Sequence, residues 1–202
     1  MIPTHLICGP LGIGKTTAII DYLRRHAADE FTAVLVNDFG PVGLDAAIME
    51  SDLGQAAKEH TSIRMLPGGC VCCTAAAGLL AAMDQLAAMP RLDRLIIEPS
   101  GLAMVGDMVD LVRDLAGKYP LELRPVIAMI EPRLLDRVGF HKAPYYTRMV
   151  EAADVLVANR CDLASPAQTQ AFDQWAAGLF PPKLRIVKTQ QGRLSDDLLE
   201  MR

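Results

Sequence analysis

Gly9-Pro10-Leu11-Gly12-Ile13-Gly14-Lys15-Thr16 decides how this chain is read. The octapeptide has the spacing G-x-x-x-x-G-K-[ST]. It stands between an apolar run, His5-Leu6-Ile7-Cys8, and a helical pattern from Thr16 to His26 whose apolar face is Ile19, Ile20 and Leu23. Strand, glycine loop and helix in that order make a phosphate cradle. The glycines let the backbone turn tightly, so that successive N–H groups converge on phosphate oxygens. The helix amino terminus adds partial positive charge. Gly9, Gly12 and Gly14 shape the loop. Lys15 is placed to reach the β- and γ-phosphates, the Thr16 hydroxyl to ligate Mg2+, and Thr17 to add a contact near the α-phosphate.

The alternation continues outward from this loop. Short apolar runs at Thr32–Asn37, Thr61–Leu66, Arg94–Glu98, Pro125–Ile130, Asp154–Asn159 and Leu184–Lys188 read as buried strands. Helical patterns run from Thr74, a candidate cap, to Met89, from Val105 to Leu115 and from Pro166 to Phe180. Between Asp38 and Asp52 a Gly/Pro-rich stretch predicts a loop and a short helix. Strands alternating with helices predict an α/β fold: a doubly wound, mostly parallel sheet in three α/β/α layers, of the P-loop NTPase type, forming one domain over residues 1–202. In such a sheet ligand chemistry belongs in the loops leaving the carboxyl ends of the strands.

Composition narrows the class. With 51% hydrophobic and 22% charged residues the chain is neither disordered nor collagen-like. A net charge of −4 argues against a nucleic-acid partner, which normally shows as a basic surplus. Met65 to Met83 carries no charge, yet Pro67, Gly68, Gly69 and three cysteines make it a loop and a buried helix start rather than a membrane span. The opening Met1-Ile2-Pro3-Thr4-His5 lacks the positive region of a secretion signal. Five cysteines, an odd number with three crowded into four positions, fit a reducing cytoplasm and a metal site better than a disulfide framework.

Three further groups of residues carry chemistry. Asn159-Arg160-Cys161-Asp162 follows a buried strand, where GTP-binding proteins place N-K-x-D. The Asp162 carboxylate can accept two hydrogen bonds from guanine N1–H and the exocyclic amino group, a pair of donors that adenine lacks. Asn159 would hold the loop and touch the base edge. Arg160 replaces the usual lysine; its stem can cover the base face and its guanidinium can stack. Cys70-Val71-Cys72-Cys73 lies between a strand and a helix start, where thiol pKa falls and thiolates take zinc or other late first-row ions. Three sulfurs leave a fourth position for water, for Asp38 or for a partner's side chain, and that openness suits transfer. Asn37-Asp38-Phe39-Gly40 and Glu98-Pro99-Ser100-Gly101 each leave a strand at its carboxyl end; the Asp38 or the Glu98 carboxylate could meet Mg2+ or position a water. Gly101 could let a backbone N–H approach the γ-phosphate.

Taken together and in order, Gly9 to Thr17, Asn37 to Gly40, Gly68-Gly69-Cys70-Val71-Cys72-Cys73-Thr74, Ile97-Glu98-Pro99-Ser100-Gly101-Leu102-Ala103 and Asn159 to Asp162 resemble the CobW-like metallochaperone GTPases, relatives of the UreG and HypB nickel-insertion GTPases. The resemblance covers nearly the whole chain, and G-G-C-x-C-C is its most specific part. It implies a slow GTPase that binds GTP or GDP with Mg2+, holds Zn2+ or Co2+ at Cys70, Cys72 and Cys73, and delivers that metal to a client metalloprotein. It implies phosphate and Mg2+ roles for Lys15 and Thr16, guanine reading by Asn159 and Asp162, and for Glu98 the carboxylate after the Walker B strand. The chain departs from the family pattern with Asp38 for Glu, Pro41 for Glu, Pro99 for Thr and Met104 for Asp. It also shows none of the family's usual carboxyl-terminal domain, which implies a GTPase-only form or docking through another chain. His5, His26, His60 and His141 are scattered and are not expected to bind metal. A homodimer is an open arrangement. Two alternatives stand beside this reading: a P-loop small-molecule kinase, and a regulatory nucleotide-binding module without turnover.

Overall fold

A computed structural model describes residues 1–37, 49–66, 76–100 and 104–202. Asp38, Pro41, Cys70, Cys72, Cys73, Thr74 and Gly101 lie outside the described residues.

The apolar runs become strands and the periodic segments helices. In chain order these are β1 (Ile2–Cys8), α1 (Lys15–His26), β2 (Thr32–Asn37), α2 (Gln55–Glu59), β3 (Thr61–Leu66), α3 (Ala76–Ala87), β4 (Arg94–Glu98), α4 (Val105–Ala116), β5 (Leu121–Leu123), β6 (Ile127–Ile130), α5 (Val138–Lys142), α6 (Pro144–Ala152), β7 (Val155–Ala158), α7 (Pro166–Ala177), β8 (Arg185–Lys188) and α8 (Asp196–Leu199). All strand pairs are parallel, in the order β3-β2-β4-β1-β6-β7-β8. β5 pairs with the amino half of β1, and β6 takes over at Ile7 and Cys8. No described helix is long and apolar enough to cross a membrane.

Burial explains why the strand runs are continuously apolar. Every residue of β2, β4, β6 and β7 is buried, because helices cover both faces. Successive side chains alternate between two cores. Val34, Val36, Ile96, Met129 and Val157 meet α1 and the carboxyl-terminal segment around Leu198. Leu35, Ile97, Ala128, Ile130 and Leu156 meet α3, α4 and α7. β3 and β8, at the two sheet edges, are largely half-buried or exposed.

β5, α2 and α8 were not predicted: they have three, five and four residues, too few to establish a period. Several boundaries moved: β1 begins at Ile2 rather than His5, β6 begins at Ile127 rather than Pro125, α3 ends at Ala87 rather than Met89, and α7 ends at Ala177, short of Phe180. Gly178 caps it, its N–H bonding back to Ala176 and Trp175 carbonyls. The start of α7 was legible, since Ser165 and Gln168 form a reciprocal capping box with Pro166 in the first turn.

The strand order sets the site. From β1 the chain first winds to β2 and β3 on one side and later to β6, β7 and β8 on the other. The loop leaving β1 therefore opens at the point where the winding reverses, the crevice in which such sheets bind ligands.

Candidate nucleotide site

The loop after β1 is tied down by close approach. A Cβ on Gly9 would meet the Met129 carbonyl oxygen of β6 at 2.6 Å, so only glycine fits there. Gly14 caps α1 with φ 99, in the left-handed region, and a Cβ on it would meet Asn159 Nδ2 at 2.7 Å. The loop so formed carries Lys15 and Thr16 at the first turn of α1.

β4 lies beside β1, with Leu6 opposite Ile97. That register brings Glu98, the last residue of β4, next to the phosphate loop. The Thr16 hydroxyl lies 3.0 and 3.1 Å from the two Glu98 carboxylate oxygens. Lys15 Nζ donates to the Gly9 and Pro10 carbonyls at 3.1 and 3.2 Å and sits 3.8 Å from Glu98 Oε1. Lys15 and Glu98 are both buried. Two predicted Mg2+ residues, more than 80 positions apart in sequence, thus share one hydrogen bond. A hydroxyl and a carboxylate form a hard-oxygen donor set, which fits Mg2+.

Asn159 follows β7 and is buried. Its Nδ2 donates to the Ile13 carbonyl at 2.8 Å, and its Oδ1 accepts from the Gly192 N–H at 3.0 Å. It therefore locks the phosphate loop to the loop after β8. Arg160 has φ 59 and donates to the Gly12 carbonyl at 2.5 Å and to Glu131 Oε2 at 3.3 Å. Its guanidinium is engaged by these groups. Asp162 is exposed on a 3-10 turn, Cys161–Leu163.

These loops enclose a cleft of about 520 Å3 lined by Gly14, Thr17, Asn159, Arg160, Gln191 and Gly192, among others. A second hollow of about 650 Å3, lined by Cys161, Thr189 and Gln190 among others, shares Asp21 and Gln191 with it. Each volume is in the range of small-molecule sites. Sequence reasoning missed Gln191, Gly192 and Glu131. The signal was available: all three follow the carboxyl ends of strands, where ligand loops lie.

The two described cysteines contribute no thiolate. Burial pushes the Cys8 thiol up to about 12, against the opposing pull of Lys15, and burial also raises Cys161. No cluster of three or more His, Cys, Asp and Glu able to hold a metal occurs among the described residues. The predicted Cys70, Cys72 and Cys73 site, with Asp38 and Gly101, lies outside them.

The family model described as CobW/HypB/UreG, nucleotide-binding domain, matches residues 3–186. The chain is 33% identical over 201 residues to the zinc chaperone YeiR of Escherichia coli (strain K12), covering 100% of this chain and 59% of that protein. Among solved structures, Zn(II)-bound YjiA GTPase from E. coli superposes with a TM-score of 0.64 at 22% identity, over 98% of this chain and 60% of that one. HypB from Helicobacter pylori in complex with nickel superposes with a TM-score of 0.61 at 19% identity, over 98% of this chain and 82% of that one. The two superpositions establish the fold, and the match over residues 3–186 goes further: the chain belongs to the CobW/HypB/UreG nucleotide-binding family.

Proposed function

We propose that this chain binds GTP and GDP with Mg2+, hydrolyses GTP slowly, and carries Zn2+ or Co2+ at Cys70, Cys72 and Cys73 for delivery to a client metalloprotein in the cytoplasm. The observation that carries the reading is the meeting of Thr16, Lys15 and Glu98 at the mouth of the phosphate loop, in a chain whose relative YeiR is named a zinc chaperone. Family membership favours metal handling over the kinase alternative.

The roles follow from the donors. Lys15 would exchange its bonds to the Gly9 and Pro10 carbonyls for phosphate oxygens, a pairing in which the acceptor as well as the donor is charged and which is therefore stronger. Thr16 and Glu98 would hold Mg2+, which when bound neutralises charge developing on the phosphates. Asp162 would read guanine. Asn159 would hold the phosphate loop and the Gly192 loop in register, so that base and phosphates are bound at a fixed separation. Residues 1–202 would act as one nucleotide-binding domain. Asp38, Gly101 and the thiols would couple nucleotide state to metal affinity, and the coupling must be reciprocal.

Zinc affinity measured by chelator competition, with and without a non-hydrolysable GTP analogue, tests this. The expected result is one Zn2+ per chain, an affinity that changes with nucleotide, and loss of the site in Cys72→Ala. Zinc binding unaffected by both nucleotide and substitution would overturn the metal half of the proposal.

A further inference from the structure

Arg160 is where the base-reading tetrapeptide departs from Asn-Lys-x-Asp, and the structure gives that departure a partner. The residue adopts φ 59, a left-handed backbone that a long side chain takes only where its surroundings hold it. Its guanidinium spans two anchors, the Gly12 carbonyl at 2.5 Å and Glu131 Oε2 at 3.3 Å. A lysine ammonium is a compact point charge that one carbonyl can engage. A guanidinium is a wide planar fork that can grip two acceptors at once. Glu131 supplies the second. This carboxylate directly follows β6, its side chain is only 9% exposed, and its other oxygen accepts from Arg133 Nε. None of the phosphate or base roles assigned above uses it.

We propose that Glu131 is a positioning residue for nucleotide binding. It holds the Arg160 guanidinium against the Gly12 carbonyl. That contact ties the phosphate loop to the base-reading turn and lays the Arg160 stem along the wall of the 520 Å3 cleft. The inference rests on reading that cleft as a guanine-nucleotide site.

A double-mutant cycle on the full chain tests it, reading the Kd of a fluorescent GDP in Mg2+ for wild type, Glu131→Gln, Arg160→Lys and the double variant. Glu131→Gln should weaken binding about tenfold in the wild-type background and less than about twofold in the Arg160→Lys background, because an ammonium reaches Gly12 without a second acceptor. Equal losses in the two backgrounds, or no loss in either, would overturn the proposal. A purely structural role for Glu131 would lower the melting temperature without this dependence on residue 160. Should Glu131→Gln fail to fold, Glu131→Asp carries the same cycle, since it keeps the charge and withdraws it by one methylene. If wild type binds no guanine nucleotide, the site assignment itself fails, an outcome separate from uncoupled variants of a protein that binds.

Discussion

The same two strands, β1 and β4, end in polar clusters at both edges of the sheet, and the two clusters are satisfied differently. At the amino edge Arg94 donates to Glu30 at 2.9 Å and to Glu200 at 2.6 Å, meets His5 Nε2 at 2.6 Å and lies 5.3 Å from the Tyr22 ring centroid. At the carboxyl edge Lys15 donates to two main-chain carbonyls and approaches one carboxylate at 3.8 Å. A guanidinium held between two carboxylates and an imidazole already has its charge matched where it stands. An ammonium held by neutral carbonyls can exchange them for phosphate and gain. Burial of charge alone therefore does not mark the functional end of this sheet; the nature of the partners does.

The comparison can be broken by substitution. The largest effect is expected for Arg94→Leu, which leaves the Glu30 carboxylate with the Tyr22 and Thr32 hydroxyls but without its cation and should cost about 4 kcal/mol in denaturant unfolding, while the folded protein keeps its nucleotide affinity. A parallel loss of affinity would show that the amino-edge cluster serves the ligand after all. Lys15→Ala should do the reverse: titration with a labelled guanine nucleotide should show about a hundredfold weaker binding, roughly 3 kcal/mol, with a smaller change in unfolding. Asn159→Ala leaves the Ile13 carbonyl and the Gly192 N–H without their shared partner and should cost about 2 kcal/mol of stability, with weaker nucleotide binding, measured by the same two methods.

The smallest effect sharpens the amino-edge side. Burial first, and then the Arg94 and Arg124 cations, lower the His5 pKa from 6.5 to about 3. His5 is therefore neutral when folded and protonates first in the unfolded chain. Stability due to this group is present above about pH 6.5 and is lost as pH falls towards 3. Between pH 7 and pH 5.5 the loss should be about 1 kcal/mol. The difference between wild type and His5→Gln in urea unfolding across that range isolates it. A difference that does not change with pH would mean that His5 is protonated in place.

Much of this architecture was legible. The phosphate loop announced itself, because few residues other than glycine fit beneath Met129 or beside Asn159. The buried strands were legible because both faces are covered. The Thr16–Glu98 pairing followed in outline from the rule that chemistry gathers at strand carboxyl ends, although its hydrogen bond needed the β1–β4 register to appear. Arg94 and His5 were not legible as a pair. Each reads as one polar residue in an apolar run, and 89 positions separate them. Glu131 and Gln191 were missed for a related reason: their role comes from what the fold brings beside Arg160 and Asn159, not from a local motif. The cysteine loop, the most specific part of the sequence, lies outside the described residues.

Competition between guanine and adenine nucleotides at the carboxyl edge tests the central claim most directly. In Mg2+, labelled GDP should bind wild type, and ADP should compete at least about a hundredfold less well, because only guanine offers the two donors that Asp162 can accept. Asp162→Asn should abolish that preference and admit a xanthine nucleotide, whose carbonyl can meet the new amide. ADP competing as well as GDP, or an Asp162→Asn protein that still prefers guanine, would contradict the account.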